Sequence, residues 1–423
     1  MSANDLFHIK SKSVTTTLSV ESLRFSQIYF LAICLFYTVN EVAPQYGGVE
    51  RITANIADAL TTFYNANCYS AYKYNLDNSF EKQQFVDTIK ITSYHKLTRL
   101  IQFIEQNKID VIINQGEHKL TKHLKKALRR SHRKECKLIF ALHTKPAAEV
   151  NFVTLDNPKK ELKEGKNIWK NIRKCLSFPY QKTRKIIKLP ILYKESYTFS
   201  DKVVLLSEHY KNDFIKYAHL KEDSKISIIH NALSFQSFYD MTNYGYKKKE
   251  VLIVSRLEEE PKRVSIALKI WKEIEADSSL SDWKLRIVGH GKMESQYKYF
   301  VKHHNLNRVF FEGAKNSEPY YNEASIFMMT SSFEGWPLTL IEAQQCGCVP
   351  LAFNSFASLK DIITSKNNGF IIPNNDIPMY IKQIKRLMTD DQLRKSMANN
   401  AIESSKRFTI NTIIKEWIKL MVE

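Results

Sequence analysis

The most constraining feature of this chain is a repeated alternation of short apolar runs with amphipathic stretches, joined by turns that carry glycine or proline. The first series opens with an apolar run over 29–39 and passes through Pro44-Gln45-Tyr46-Gly47-Gly48. It continues into a stretch with Val49, Ile52, Ile56, Ala59 and Leu60 on one helical face. Further apolar runs fall at 68–74, 109–114, 138–143 and 202–206. A second series begins at 251–254 and is followed by Val264, Ala267, Leu268, Trp271 and Ile274 at helical spacing. Runs at 285–288, 309–311, 326–329, 349–353 and 370–372 complete it. Nearly continuous apolar strands separated by helices predict parallel sheets covered on both faces, an α/β, doubly wound architecture. A chain of 423 residues exceeds one ordinary core, so two such domains are expected.

The division follows from where the pattern lapses. Residues 1–27 read as a Ser/Thr-rich, flexible leader, 28–240 as the first domain and 250–405 as the second. The linker is placed at 241–249, where Gly245 and three lysines interrupt the pattern, and 406–423 holds a last helix with no strand after it. The apolar run 28–39 is too short to span a bilayer and has only Arg24 close before it, with no small-x-small cleavage site. It leads straight into a glycine turn, as a first buried strand should. The six cysteines form no C-x-x-C pair and no zinc spacing with histidine, which predicts reduced, buried thiols in a cytosolic protein.

The chemistry concentrates after the apolar run Ile326-Phe327-Met328-Met329. There the chain reads Thr330-Ser331-Ser332-Phe333-Glu334-Gly335-Trp336-Pro337-Leu338-Thr339-Leu340-Ile341-Glu342-Ala343, then Cys346-Gly347-Cys348-Val349-Pro350. Glu334 falls on the strand-to-helix loop and Glu342 about two turns into an apolar helix. Gly335 and Pro337 open that helix, whose first N–H groups at Leu338 and Thr339 have no intrahelical acceptor and suit an anion such as phosphate. The two carboxylates suit hydroxyl groups instead. A ligand with both phosphate and many hydroxyls is a sugar nucleotide.

This pattern resembles the nucleotide-sugar site of the retaining glycosyltransferases of family 4, the glycosyl transferases group 1, whose fold is the two-domain GT-B type with two Rossmann-like sheets facing across a cleft. The shared elements are the glutamate pair at Glu334 and Glu342, the following alanine and the Gly347/Pro350 exit. The resemblance extends over nearly the whole chain from residue 28, strongest over 251–373 and looser over 150–200. It implies that Gly47 and Gly48, in the loop after the first strand, approach the donor diphosphate and the acceptor. Ser255-Arg256-Leu257 and Glu260-Pro261-Lys262-Arg263 match the family's Arg and Lys pair, cations able to stabilise charge building on the β-phosphate without a metal. An insertion before Lys262 leaves open whether Lys262 or Arg263 reaches the phosphate, with Lys262 the better fit. His143, at the end of an apolar strand, matches the strand-end histidine that contacts the transferred sugar. Gly289, in Val288-Gly289-His290-Gly291, matches a glycine turn passing the nucleotide, and Asn231 matches a strand-end asparagine leading to the interdomain connection.

By the same resemblance, His143, Arg256, Lys262 and Glu334 are the expected catalytic residues. Gly47, Gly48, Arg256, Lys262, Gly289, Gly335, Pro337, Leu338, Thr339 and Glu342 are expected to bind the donor, with Glu342 on the ribose and Glu334 on the sugar. The expected activity is a retaining, hexosyltransferase-type transfer from a nucleotide sugar, a UDP-sugar ahead of a GDP-sugar, in making a cell-surface polysaccharide such as lipopolysaccharide or capsule. The acceptor would be a saccharide or lipid-linked saccharide. No cofactor is expected. The chain has no Asp-x-Asp of the kind that holds a diphosphate-bound metal in transferases of another fold, which favours a metal-independent mechanism. The alternatives are a nucleotide-sugar epimerase of the same fold, or an inert scaffold binding sugar nucleotide or membrane.

Charge bears on the partner. The formal net charge is +19, concentrated at 119–137, with nine Lys/Arg against Glu135, and at 159–188, with eleven against Glu161 and Glu164. Leu120, Leu124, Leu128, Ile168, Trp169, Ile172 and Phe178 interleave with these basic residues, a pattern suited to an anionic membrane surface. Solvated helix faces are the plainer alternative, and the anionic membrane surface is the better supported of the two. Nucleic acid is not expected, since no helix-turn-helix, zinc finger or aromatic RNA-binding signature accompanies the charge. The expected location is cytoplasmic, peripheral on the inner face of the cell membrane.

Overall fold

The computed structural model describes residues 34–42, 47–74, 85–151 and 167–423. The leader 1–27, the turn residues 44–46 and the basic residues 159–166 lie outside them. The first sheet contains β1 (Cys34–Asn40), β2 (Cys68–Tyr74), β3 (Thr88–Lys90), β4 (Val111–Asn114), β5 (Lys137–Leu142), β6 (Lys202–Leu205) and β7 (Ile226–Ile228). The second contains β8 (Lys248–Val254), β9 (Lys284–Val288), β10 (Val309–Gly313), β11 (Ala324–Met329), β12 (Val349–Phe353) and β13 (Phe370–Ile372). Every pairing is parallel. The spatial orders are β3-β2-β1-β4-β5-β6-β7 and β10-β9-β8-β11-β12-β13. These two sheets give the doubly wound α/β class read from the alternation. Each order reverses once, at β1/β4 and at β8/β11, and the carboxyl ends beside such a reversal are where α/β sheets open a crevice.

Strand β8 starts at Lys248, so Lys248 and Lys249 belong to the second sheet rather than to a linker running to 249. Their ammonium groups lie on the surface, paired with Glu323 and Asp282, which lets a lysine pair start a strand. The short strands β3 and β7 were not among the apolar runs, because Thr88-Ile89-Lys90 and Ile226-Ser227-Ile228 are too brief to show a pattern.

One expectation is overturned. Leu120, Leu124 and Leu128 are fully buried on the helix His118–Leu128, packed in a core with Leu35, Ile112 and Leu138. Leu124 and Leu128 are therefore not available for membrane insertion. An i, i+4 leucine stripe is what any helix needs to cover a sheet, and sequence does not say which apolar surface it meets. Several basic groups of 119–137 are occupied too: Lys122 pairs with Glu195, Lys125 with Asp201 and Arg133 with Asp110.

The domains share one apolar cluster, which includes Phe36 and Ile113 of the first sheet and Phe327 and Ala352 of the second. The last helix, Ile410–Val422, carries Ile413, Ile414, Trp417, Ile418 and Met421 into that cluster and packs along the helix Gly48–Tyr64 of the first domain. Lys137 Nζ donates to the Met421 carbonyl at 2.8 Å. Burial pushes the Cys68 and Cys136 thiols up to about 12, so these cysteines remain protonated and inert.

Trp417 is 3% exposed at this crossing. Trp417→Ala is expected to cost about 3–5 kcal/mol of stability, measured by denaturant unfolding, from lost burial and the cavity left behind.

Candidate functional site

The expected residues gather at the carboxyl ends of both sheets. Gly47 and Gly48 follow β1, His143 follows β5, Arg256 and Lys262 follow β8, Gly289 follows β9, and Glu334 to Thr339 follow β11. The two groups meet directly at Gly335. A Cβ there would lie 2.3 Å from the His143 carbonyl oxygen and 3.1 Å from Thr144 Cα, so only glycine allows the second domain's loop this close to the first. Tyr210, from the first domain, fixes the same loop. Its hydroxyl lies 3.0 Å from the carbonyl oxygens of both Glu334 and Gly335 and 3.1 Å from Ser358 Oγ. Trp336 stacks on His230 across the junction, with ring centroids 4.5 Å apart.

Glu334 lies beside Lys262. Lys262 Nζ is 2.6 Å from Glu334 Oε1, and the same oxygen accepts from Ser331 Oγ at 2.7 Å. Arg263 points elsewhere. Its Nε donates to the Thr330 carbonyl at 2.7 Å and its Nη2 to the Ser331 carbonyl at 2.8 Å, while Nη1 donates to Asn375 Oδ1 at 2.7 Å. The guanidinium also lies over the Phe353 ring. With Nε and Nη2 engaged on the loop carbonyls, Arg263 holds the backbone that carries Glu334, while the Lys262 ammonium lies on the Glu334 carboxylate itself. Arg256 is 66% exposed at its side chain, with only a 3.8 Å ion pair to Glu258.

Glu342 is 1% exposed on the helix Leu338–Gln345, whose N-cap is Pro337. Its Oε2 lies 3.3 Å from Tyr321 OH, and its Oε1 lies 3.1 Å from Arg51 Nη2. Arg51 sits in the first turns of the helix Gly48–Tyr64, so this ion pair joins the two domains. Of the backbone positions expected to face the donor, Leu338 is buried and Thr339 partly so, and the Thr339 carbonyl shares the Tyr321 hydroxyl at 3.2 Å. Gly47 caps the helix in extended backbone and Gly48 is its first residue. Gly289 has φ +135, and a Cβ there would meet the Ser255 carbonyl oxygen at 1.9 Å, so this glycine lets the turn after β9 press against the loop that presents Arg256. Asn231 is buried at the strand end, 6% exposed.

His143 Nε2 contacts Gln115 Oε1, and an amide oxygen only accepts, so Nε2 carries the proton. Nδ1 is then a buried acceptor with no partner among the described residues. Burial pushes the imidazole down to about 4, which keeps the ring neutral near pH 7. Sequence reading assigned no role to Arg51, Tyr210, Tyr321, Ser331 or Gln115. Arg51 carried a weak signal, following the Gly-Gly turn by three residues. The others gain their meaning only from contacts between distant segments.

Residues 242–404 match the family model "Glycosyl transferases group 1". The amylovoran biosynthesis glycosyltransferase AmsD of Erwinia amylovora is 30% identical over 226 residues, 52% of this chain and 62% of that protein. The chain thus spans about three-fifths of that relative's length. A Campylobacter jejuni α-1,4-N-acetyl-D-galactosaminyltransferase, named for a diphospho-undecaprenol-linked GalNAc-GalNAc-diNAcBac acceptor, is 24% identical over 386 residues, 89% of this chain and 95% of its own. Among solved structures, Anabaena HepE in complex with UDP superposes with a TM-score of 0.66 at 18% identity, covering 92% of this chain and 99% of that one. Likeness at that level concerns the fold, and the fold is GT-B.

The neutral, partly buried His143 has a pH consequence. Its folded value lies below the ordinary 6.5, so protonation favours the unfolded chain. Its contribution is whole above pH 6.5 and is lost as pH falls towards 4. Urea unfolding midpoints measured from pH 7.5 to 4 should fall less steeply for His143→Gln than for the wild type, by about 2–3 kcal/mol at the acid end.

Proposed function

We propose that this chain, whose residues 242–404 match the glycosyl transferases group 1, acts as a member of that family and transfers a sugar from a nucleotide-sugar donor, with retention, to a lipid-linked saccharide during assembly of a cell-surface polysaccharide. The observation that carries the reading is that Lys262 on Glu334 and Arg51 on Glu342 lie where the carboxyl ends of the two sheets meet, with the His143 carbonyl against Gly335. The UDP held by HepE and the diphospho-undecaprenol saccharide named for the Campylobacter relative supply the donor and acceptor chemistry for this proposal.

In this reading the ribose hydroxyls donate to Glu342, displacing Arg51 from Oε1, each charge-assisted bond contributing about 1.5–3 kcal/mol. The diphosphate lies against Lys262 and Arg256 and the first N–H groups of the helix Leu338–Gln345. These cations are in place before charge builds on the leaving phosphate, and losing one such donor costs about 3–4 kcal/mol in the transition state. Glu334 Oε2 takes a hydroxyl of the sugar. The acceptor hydroxyl attacks from the face the phosphate leaves, and that phosphate takes its proton. Neutral His143 serves as a hydrogen-bonding group beside the sugar. No metal takes part in this scheme.

A second surface favours transfer over epimerisation, since an epimerase needs no acceptor. The helix Ile168–Phe199 exposes Ile168, Trp169 (85%), Ile172, Leu176 (78%) and Tyr180, spaced so that they share one side. Lys170, Arg173, Lys174, Arg184 and Lys188 are exposed on the same helix. An apolar stripe bordered by basic groups fits the interface of an anionic membrane, with each basic residue near the surface adding about 1 kcal/mol. The proposed location is therefore the inner face of the cell membrane. Among the described residues no helix is long and apolar enough to cross it.

A thermal-shift panel of sugar nucleotides identifies the donor, because a bound ligand raises apparent stability. With that donor and extracted lipid acceptors, product should form and persist in EDTA. Glu342→Ala should weaken nucleotide binding about ten-fold by calorimetry, from the lost charge-assisted bond. Unchanged affinity removes Glu342 from the ribose, and a donor that binds without turnover favours the scaffold. In vesicle co-sedimentation, binding should need anionic lipid and weaken with salt, and Trp169→Ser with Leu176→Ser should reduce it. Binding indifferent to all three returns the helix to an ordinary solvated face.

A further inference from the structure

The ammonium of Lys262 already has an anion before any ligand arrives. Glu334 Oε1 stands 2.6 Å from Nζ, and the pair is largely enclosed, with side chains 17% and 13% exposed. Ser331 Oγ holds the same carboxylate oxygen at 2.7 Å. The two loops are interlocked around the pair. Thr330 Oγ1 lies 3.1 Å from the Lys262 carbonyl oxygen and 3.0 Å from that of Arg263, and Ser332 N donates to the Pro261 carbonyl at 2.7 Å. Arg263 adds its bonds to the Thr330 and Ser331 carbonyls. So fastened, Glu334 cannot withdraw far when a second anion approaches Lys262.

A diphosphate reaching Lys262 therefore enters beside a fixed carboxylate in a poorly solvated place, where like charges repel more strongly than in water. An intact sugar nucleotide brings hydroxyls as well, and these can donate to Glu334 Oε2, the carboxylate oxygen that neither Lys262 nor Ser331 occupies. The free nucleoside diphosphate left after transfer brings only its charge. We propose that Glu334 is a specificity-determining residue that biases this cleft towards the sugar-bearing nucleotide and against the free nucleoside diphosphate, so that the spent product leaves. The inference rests on the reading of the cleft as a nucleotide-sugar site. It gives Glu334 a role in selecting the ligand that is separate from orienting the sugar for attack.

The test is calorimetric titration of UDP, and in parallel GDP, into the full chain as wild type, Glu334→Gln and Lys262→Met, with thermal melts confirming that each variant is folded. Whichever diphosphate binds the wild type should bind Glu334→Gln at least five-fold tighter and Lys262→Met at least five-fold weaker. The sugar nucleotide picked out by thermal shift should bind Glu334→Gln more weakly than it binds the wild type, reversing the preference. Should Glu334→Gln not fold, Glu334→Ala reads the same sign. Diphosphate affinity that is equal or lower in the folded Glu334 variant overturns the inference, and a loss in Lys262→Met at the same time leaves the donor site standing. If neither a diphosphate nor any sugar nucleotide binds the wild type, the donor-site reading itself fails and the inference falls with it.

Discussion

The backbone contact at Gly335 fixes the geometry on which the rest of the cleft depends. With no Cβ, the loop after β11 presses against the carbonyl of His143 at the end of β5, and Tyr210 bonds the carbonyls of Glu334 and Gly335 from the first domain. The carboxyl ends of two separate parallel sheets thereby line one crevice. Neither sheet alone brings a neutral imidazole, a lysine and two carboxylates together. Trp336 on His230 and the closing helix on Gly48–Tyr64 hold the domains at this setting. A side chain at Gly335 would separate the sheets at the point where the chemistry is assembled.

The charges of the crevice are arranged in pairs: Lys262 with Glu334, Arg51 with Glu342, Arg256 loosely with Glu258. An unpaired charge in a poorly solvated place costs several kcal/mol, so a binding site rich in ionic groups has to compensate them internally while it is empty. Under the proposed function, a ligand would exchange one set of partners for another rather than fill an uncompensated field. Burial grades these pairs. Glu342 is almost wholly enclosed and Arg256 almost free, which fits a deep contact for the nucleoside end of a ligand and a more adaptable one nearer solvent.

Much of this organisation was legible in the sequence because it depends on local pattern. Apolar runs such as Val251-Leu252-Ile253-Val254 read as buried strands, and Gly335, Pro337 and the glutamate pair marked a loop opening into a helix. The assignment between Lys262 and Arg263 was not legible, because it turns on where two adjacent long side chains point. In the structure the carbonyls of Thr330 and Ser331, far along the chain, take up the Arg263 guanidinium, while the Lys262 ammonium lies on Glu334. Arg51 and Tyr210 stayed hidden for the same reason, their partners lying in the other domain. The reading of Leu124 and Leu128 failed differently. Their spacing correctly indicated an apolar helix face, but a sheet and a membrane ask for the same stripe.

Burial divides the helix Ile168–Phe199 into two parts that composition does not distinguish. Leu189, Tyr193 and Tyr197 in its later turns are buried against Phe140, Val203 and Phe214, which anchors that end to the first domain. Trp169 and Leu176 in its early turns are exposed although the same helix has apolar contacts available further along. Folding of the described chain makes no use of these side chains, and a tryptophan left 85% in water forgoes apolar burial worth roughly 2–3 kcal/mol. The basic residues beside them repel one another across a self-association of that face and favour an anionic surface, which is the physical ground of the membrane contact proposed above.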